Sequence, residues 1–201
     1  GDGADIVTAG GGDDTLAGGN DGDTLDGGIG ADTITGADGA DSLFGGDGND
    51  SLDAGSDADQ AAGGNGDDTL DGGIGADTMG GDDGDDTLLG GDDADLLSGG
   101  NEDDSLYGGD GNDTLNGGAG VDYLYGGLGD DTFQASGGQN QHDGGDGQDW
   151  IDFEPHGVAV NANLGVGFSL FADDSGTNNL VRIEHMRGSA FADTLVGSNG
   201  D

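Results

Sequence analysis

From Asp5 to Asp131 every ninth residue is aspartate, and this fixed period constrains the chain more than any other feature. The sixth position of the nine-residue unit reads Asp5, Asp14, Asp23, Asp32, Asp41, Asp50, Asp59, Asp68, Asp77, Asp86, Asp95, Asp104, Asp113, Asp122 and Asp131, then Asn140, then Asp149. The eighth position is apolar in nearly every copy, from Val7, Leu16 and Leu25 to Phe133 and Ile151, with interruptions at Ala61 and His142. Gly108 to Asn116, GGDGNDTLN, shows the unit in its regular form. One acid column and one apolar column therefore run through about seventeen copies, which is the signature of a stacked repeat architecture.

Within a unit, the glycine-rich first half supplies a turn and the three residues after the aspartate a short strand. Glycines at the first, second and fourth positions are expected to allow positive φ and close backbone approach. In the strand the eighth residue points inward, while the seventh and ninth point out. Composition supports no ordinary interior: 51 of the 201 residues are glycine and 30% are apolar. The 44 acids against Arg182 and Arg187 leave a formal net charge of −42. Such a composition alone reads as a disordered acidic chain, but acids fixed at one position of a turn read as ligands. The charge argues against nucleic acid and anionic membrane as partners. No apolar run approaches the roughly 20 residues that span a bilayer, and with no cysteine there are no disulfides.

The unit GGxGxDxUx resembles the calcium-binding nonapeptide of the RTX (repeats-in-toxin) family, over roughly three quarters of the chain without a phase slip. The resemblance implies an all-β fold, a right-handed parallel β-roll with two nonapeptides per coil, so that repeat n stacks on repeat n+2. It implies that each ion lies between two stacked loops, bound by their sixth-position aspartates and by glycine-loop carbonyls. Carried onto this chain, Asp113 shares one ion with Asp95 and another with Asp131. The implied backbone ligands are carbonyls of the kind found at Gly109 and Gly111, and at Gly46, Gly48, Gly64 and Gly66. Roughly 10 to 15 calcium ions would be held, and about fifteen would cancel about 30 of the negative charges. Magnesium suits such loops less, because it prefers a rigid octahedron and keeps its waters.

Several departures from the pattern carry expectations of their own. Ala61 should stack between Leu43 and Met79 as the thinnest layer of the core. Asp21, Asp57, Asp93 and Glu102 replace fourth-position glycines, and Glu102 is the residue least suited to left-handed geometry. The block DTLDGGIGADT occurs at Asp23 to Thr33 and again five repeats later at Asp68 to Thr78. An odd offset places the copies on opposite sheets, so the sheets should be interchangeable. Tyr107 and Tyr125 should stack outward on one face, with Tyr123 beside them, as cross-strand stabilisers or as a sugar or protein platform. Trp150, Phe153, Phe168, Phe171 and Phe191 are expected to pack as a cap on the roll.

The expected organisation is an array over 1–152, a capping or extending segment over 153–187, and a resumed repeat over 188–201 marked by Asp193 and Leu195. Both ends fall inside a repeat, so the chain is expected to be a segment of a longer polypeptide carrying any export signal, catalytic domain or anchor. His142, His156 and His185 are scattered, with no zinc motif, and no catalytic constellation stands out, so no enzyme activity is expected. The resemblance implies a module of a secreted bacterial protein that crosses a type I secretion channel unfolded and condenses in extracellular calcium. The alternatives are a segment of a surface-layer, matrix or adhesin protein, or a carbohydrate-binding accessory module. Flanking domains, self-association and glycan are the further partners considered.

Overall fold

A computed structural model describes residues 1–153, 160–163, 168–171, 177–188 and 194–196. The array is built from β1 (Ile6–Gly11), β2 (Thr15–Asn20), β3 (Thr24–Ile29), β4 (Thr33–Asp38), β5 (Ser42–Asp47), β6 (Ser51–Ser56), β7 (Gln60–Asn65), β8 (Thr69–Ile74) and β9 (Thr78–Asp83). It continues through β10 (Thr87–Asp92), β11 (Leu96–Asn101), β12 (Ser105–Asp110), β13 (Thr114–Ala119), β14 (Tyr123–Leu128), β15 (Thr132–Gln134), β16 (Gln141–Asp146) and β17 (Trp150–Asp152). Odd-numbered strands form one parallel sheet and even-numbered strands the other, each strand pairing with the one 18 residues away. The chain is thus a parallel β-solenoid of about eight turns in which two nonapeptides close one coil, and no helix occurs among the described residues.

Most strands are six residues long, twice the length that the short apolar run suggests. They continue past the Thr-Leu pair through the first two glycines and the residue after them. Their burial alternates, with the eighth-position side chain and the first-position glycine inward. Leu25, Leu43, Leu97 and Leu115 from one sheet meet Ile34, Leu52, Leu70, Leu88, Leu106 and Leu124 from the other, all essentially inaccessible. Ala61 lies in register between Leu43 and Met79, as its place in the repeat requires.

After the array, β18 (Val160–Asn163), β19 (Phe168–Phe171), β20 (Thr177–Val181), β21 (His185–Arg187) and β22 (Thr194–Val196) continue both sheets. β20 adds to β16 in parallel and β21 to β17, so one more coil forms across the interruption. β19 and β18 then extend the even-numbered sheet by antiparallel pairing, and β22 joins β18 in parallel. Leu180, in register with His142, and the partly buried Met186, in register with Ile151, carry the inward column onward, and Ile183 is buried before β21. Of the aromatic residues expected to cap the roll, Phe153 is buried, whereas Trp150 stands on the outer face with 41% of its surface exposed. Its strand position explains this, because it is a seventh-position residue and points away from the core. Phe191, His156, Asp193 and the side chains of Phe168 and Phe171 lie outside the described residues.

Candidate metal centre

Each turn brings a sixth-position carboxylate back under the strand that leads into it. From Asp23 to Asp131, and again at Asp149, these aspartates are at most 3% exposed. One oxygen of each has a fixed task. Asp113 Oδ1 accepts from the backbone N–H of Asp95 at 2.9 Å, and Asp131 Oδ1 from that of Asp113 at 2.9 Å. The same bond links Asp5 to Asp23, Asp14 to Asp32 and every later pair, giving one ladder along each edge of the roll. The sixth-position carbonyl completes the join, as where Asp95 O accepts from Thr114 N–H at 2.8 Å.

The other oxygen has no such partner. Oδ2 of fourteen aspartates, Asp23 through Asp131 together with Asp149, is buried and makes no hydrogen bond. An unpaired buried carboxylate oxygen is costly, and burial accordingly raises twelve of these acids, from Asp41 to Asp131 and at Asp149. Asp68, Asp95, Asp104 and Asp131 are pushed up to about 7, and Asp59, Asp86 and Asp122 to about 6. In each, desolvation is the largest cause, opposed by the backbone hydrogen bond, with neighbouring carboxylates adding to the rise. Asp41, Asp50, Asp77, Asp113 and Asp149 shift the same way.

The first-position glycine makes room for this oxygen. A Cβ at Gly72 would lie 2.5 Å from Asp77 Oδ2 and 2.6 Å from the carbonyl oxygen of Gly90 in the next coil. The same overlap recurs at Gly90, Gly108 and Gly126. These first-position glycines do not adopt positive φ, unlike those at the second and fourth positions, so they are needed for space and not for a turn. Second- and fourth-position carbonyls point along the stack. Those of Gly109 and Gly111 aim at Gly127 and Gly129, and those of Gly46 and Gly48 at Gly64 and Gly66. The carbonyl of Gly66 aims in turn at Gly84, whereas Gly64 pairs with Asp82, which takes the positive φ of the glycine it replaces.

Each gap between coils therefore gathers carboxylate and carbonyl oxygens without nitrogen or sulfur. No group of three or more His, Cys, Asp or Glu side chains converges among the described residues, because each turn points a single acid inward and leaves its other acids on the surface. An oxygen-only donor set of carboxylates and loop carbonyls fits a hard cation such as calcium. A hard cation held there would supply positive charge to these oxygens and would link the coils that carry them.

The edges of the array depart from this scheme. Asp5 is exposed and Asp14 half-buried. Glu102 adopts a φ of 74°, and its carboxylate accepts from Gly84 N–H at 3.2 Å. Glu184 was not among the sequence-derived candidates, yet its Oε2 accepts from Asp149 N–H at 2.9 Å and so continues one ladder. Counting nine residues back from Asp193 would have found it. The tyrosines pair in register as expected, but the close ring contact is the diagonal one between Tyr107 and Tyr123, at 5.8 Å. Tyr125 lies instead beneath Arg182, which also holds Asp143 at 2.6 and 2.7 Å.

The fold and these centres together define a calcium-type β-solenoid. The family description "RTX calcium-binding nonapeptide repeat (4 copies)" matches residues 1–25, 26–61, 53–88, 89–124, 116–151 and 182–201, and the chain belongs to that family. No curated protein matches it.

Proposed function

We propose that this calcium-binding repeat chain is a folding module switched by calcium, non-catalytic itself and part of a larger secreted protein. The observation that carries this reading is the row of buried, unpartnered aspartate oxygens that repeats from Asp23 to Asp131 and returns at Asp149. Without a cation these carboxylates repel one another and stay desolvated, so the compact state is disfavoured at neutral pH. With one, the same oxygens join neighbouring coils. The ligands are the sixth-position aspartates from Asp5 to Asp131 and Asp149, with carbonyls such as those of Gly46, Gly48, Gly64, Gly66, Gly109 and Gly111, and the ions number roughly 10 to 15. Extracellular calcium modules bind at about 0.1 to 1 mM, well above cytosolic free calcium, so the chain stays open inside a cell and closes outside it. In this reading residues 1–152 are the array, 153–187 a capping or solenoid-extending segment, and 188–201 the start of a further repeat.

Far-UV circular dichroism of the chain during calcium titration, with magnesium and chelator controls, tests the switch. A cooperative gain of β-structure between about 0.1 and 10 mM calcium, absent with magnesium, is expected. A chain already β-rich in chelator, or one still disordered at high calcium, would overturn the reading.

A further inference from the structure

The outer face of the odd-numbered sheet carries mostly small polar residues at its seventh positions, such as Thr24, Ser42, Thr78, Thr114 and Thr132. At its C-terminal end this pattern changes abruptly. Trp150 follows Thr132 in register and His185 follows Trp150. The indole and imidazole stack with centroids 4.5 Å apart and planes inclined by 28°. Two residues along the same strands, Asp152 and Arg187 pair in register and form an ion pair of 3.0 Å. Thr132, Trp150, Asp152 and Arg187 line a cavity of about 200 Å³.

We propose that this cavity is a binding site for a neutral pyranose unit of a glycan, a site separate from the calcium centres. A single exposed indole signifies little by itself. Here, however, the ring is braced from one side by His185 and bordered by a carboxylate and a guanidinium. Those groups offer an acceptor and several donors next to a flat apolar surface. A wholly apolar ligand would strip water from Asp152 and Arg187 without replacing it. An anion is repelled by a chain whose net charge of −42 stays negative, at about −12, with about fifteen divalent ions bound. A cation would meet Arg187 in the cavity wall. A sugar ring answers all three constraints, with C–H groups for the indole and adjacent hydroxyls for the Asp152–Arg187 pair. The sixth-position aspartates face the interior of the roll, so the two kinds of site do not compete for residues.

Trp150 is the sole tryptophan, so intrinsic fluorescence reports directly on the cavity. The whole chain in calcium, checked for β-structure by circular dichroism, is titrated with neutral gluco-, galacto-, manno- and N-acetylglucosamine oligosaccharides. A uronate oligosaccharide and adenosine serve as anionic and aromatic controls. The expected result is a saturable emission change with at least one neutral oligosaccharide and none with the uronate. Asp152→Asn and Arg187→Ala should each weaken it about tenfold, and Thr132→Val less, with unchanged dichroism. No saturation by any neutral oligosaccharide, saturation by adenosine alone, or equal affinity in Asp152→Asn and Arg187→Ala would overturn the proposal. A chain already β-rich in chelator would overturn the calcium switch yet leave this result unaffected, since dichroism establishes the folded state separately.

Discussion

Asn140 isolates what the second carboxylate oxygen does in every other turn. Its Oδ1 accepts from Asp122 N–H at 2.9 Å, just as the aspartates do for their own neighbours. Its Nδ2 donates to Ser136 Oγ and to the Gly137 carbonyl, each at 3.0 Å. The one array turn that lacks an acid thus closes on itself with an amide, where the aspartates leave a buried oxygen unanswered. Asp113→Asn is therefore expected to lower the bound calcium by about one to two ions, since Asp113 would be shared between two sites, and Asn140→Asp to raise it by about one. Equilibrium dialysis with metal analysis measures both, and an unchanged stoichiometry in either variant would count against these turns as the binding sites. Each lost site should reduce calcium-loaded stability by about 1.4 kcal/mol at tenfold saturation. His142 is the opposite kind of residue. It occupies an inward position between Leu124 and Leu180, edge-on to Phe133, with neither ring nitrogen hydrogen-bonded. Burial pushes it down to about 3. His142→Leu should stabilise the calcium-loaded chain by about 1 to 3 kcal/mol in chemical denaturation, whereas a loss of stability would mean that the imidazole has a partner.

Among the strands, β7 is the weak layer. Ala61 contributes a methyl group where its register neighbours contribute Leu43 and Met79, and an opening of about 240 Å³ beside Phe44, Ala62 and Gly80 reaches these residues. Ala61→Leu should raise stability in calcium by about 1 to 2 kcal/mol. A drop would show that the layer has already collapsed around alanine and that the larger side chain is strained. This layer was legible in the sequence, because a fixed period states which residues stack. The repeated block DTLDGGIGADT was equally legible: its copies form β3 in one sheet and β8 in the other, with the same inward positions. Strand length was not legible, since glycine has little strand propensity and only pairing with neighbouring coils draws two glycines into each strand. For the same reason the first-position glycine read as a turn residue. That it clears space for a carboxylate depends on a fold-back of five residues that no local pattern displays. Glu184 escaped notice because the segment after Asp152 breaks the count of nine.

Across the whole chain, calcium and protons compete for one set of oxygens, and the shifts fix the direction of the pH dependence. Seven of the buried aspartates are raised from 3.8 to about 6 or 7 in the metal-free fold. A carboxyl raised on folding binds its proton more tightly in the folded chain. The stability it contributes is complete below about pH 4 and is lost as the pH rises through 6 to 7. His142 works the other way, since its lowered value makes folding less favourable as the pH falls from 6.5 toward 3. Seven carboxyls outweigh one imidazole, so in chelator the β-content should rise when the pH is lowered from about 7.5 to about 5. Going lower brings the chain toward its isoelectric point of about 4.1, where association would obscure the reading. In calcium, the same acidification should release ions, because protons then occupy oxygens that the metal held. Circular dichroism in chelator and calcium-electrode readings in parallel follow the two halves of this exchange. A chelated chain whose β-content stays flat or falls between those pH values would mean that repulsion among the remaining acids, and not desolvation of the inward ones, keeps the metal-free chain open.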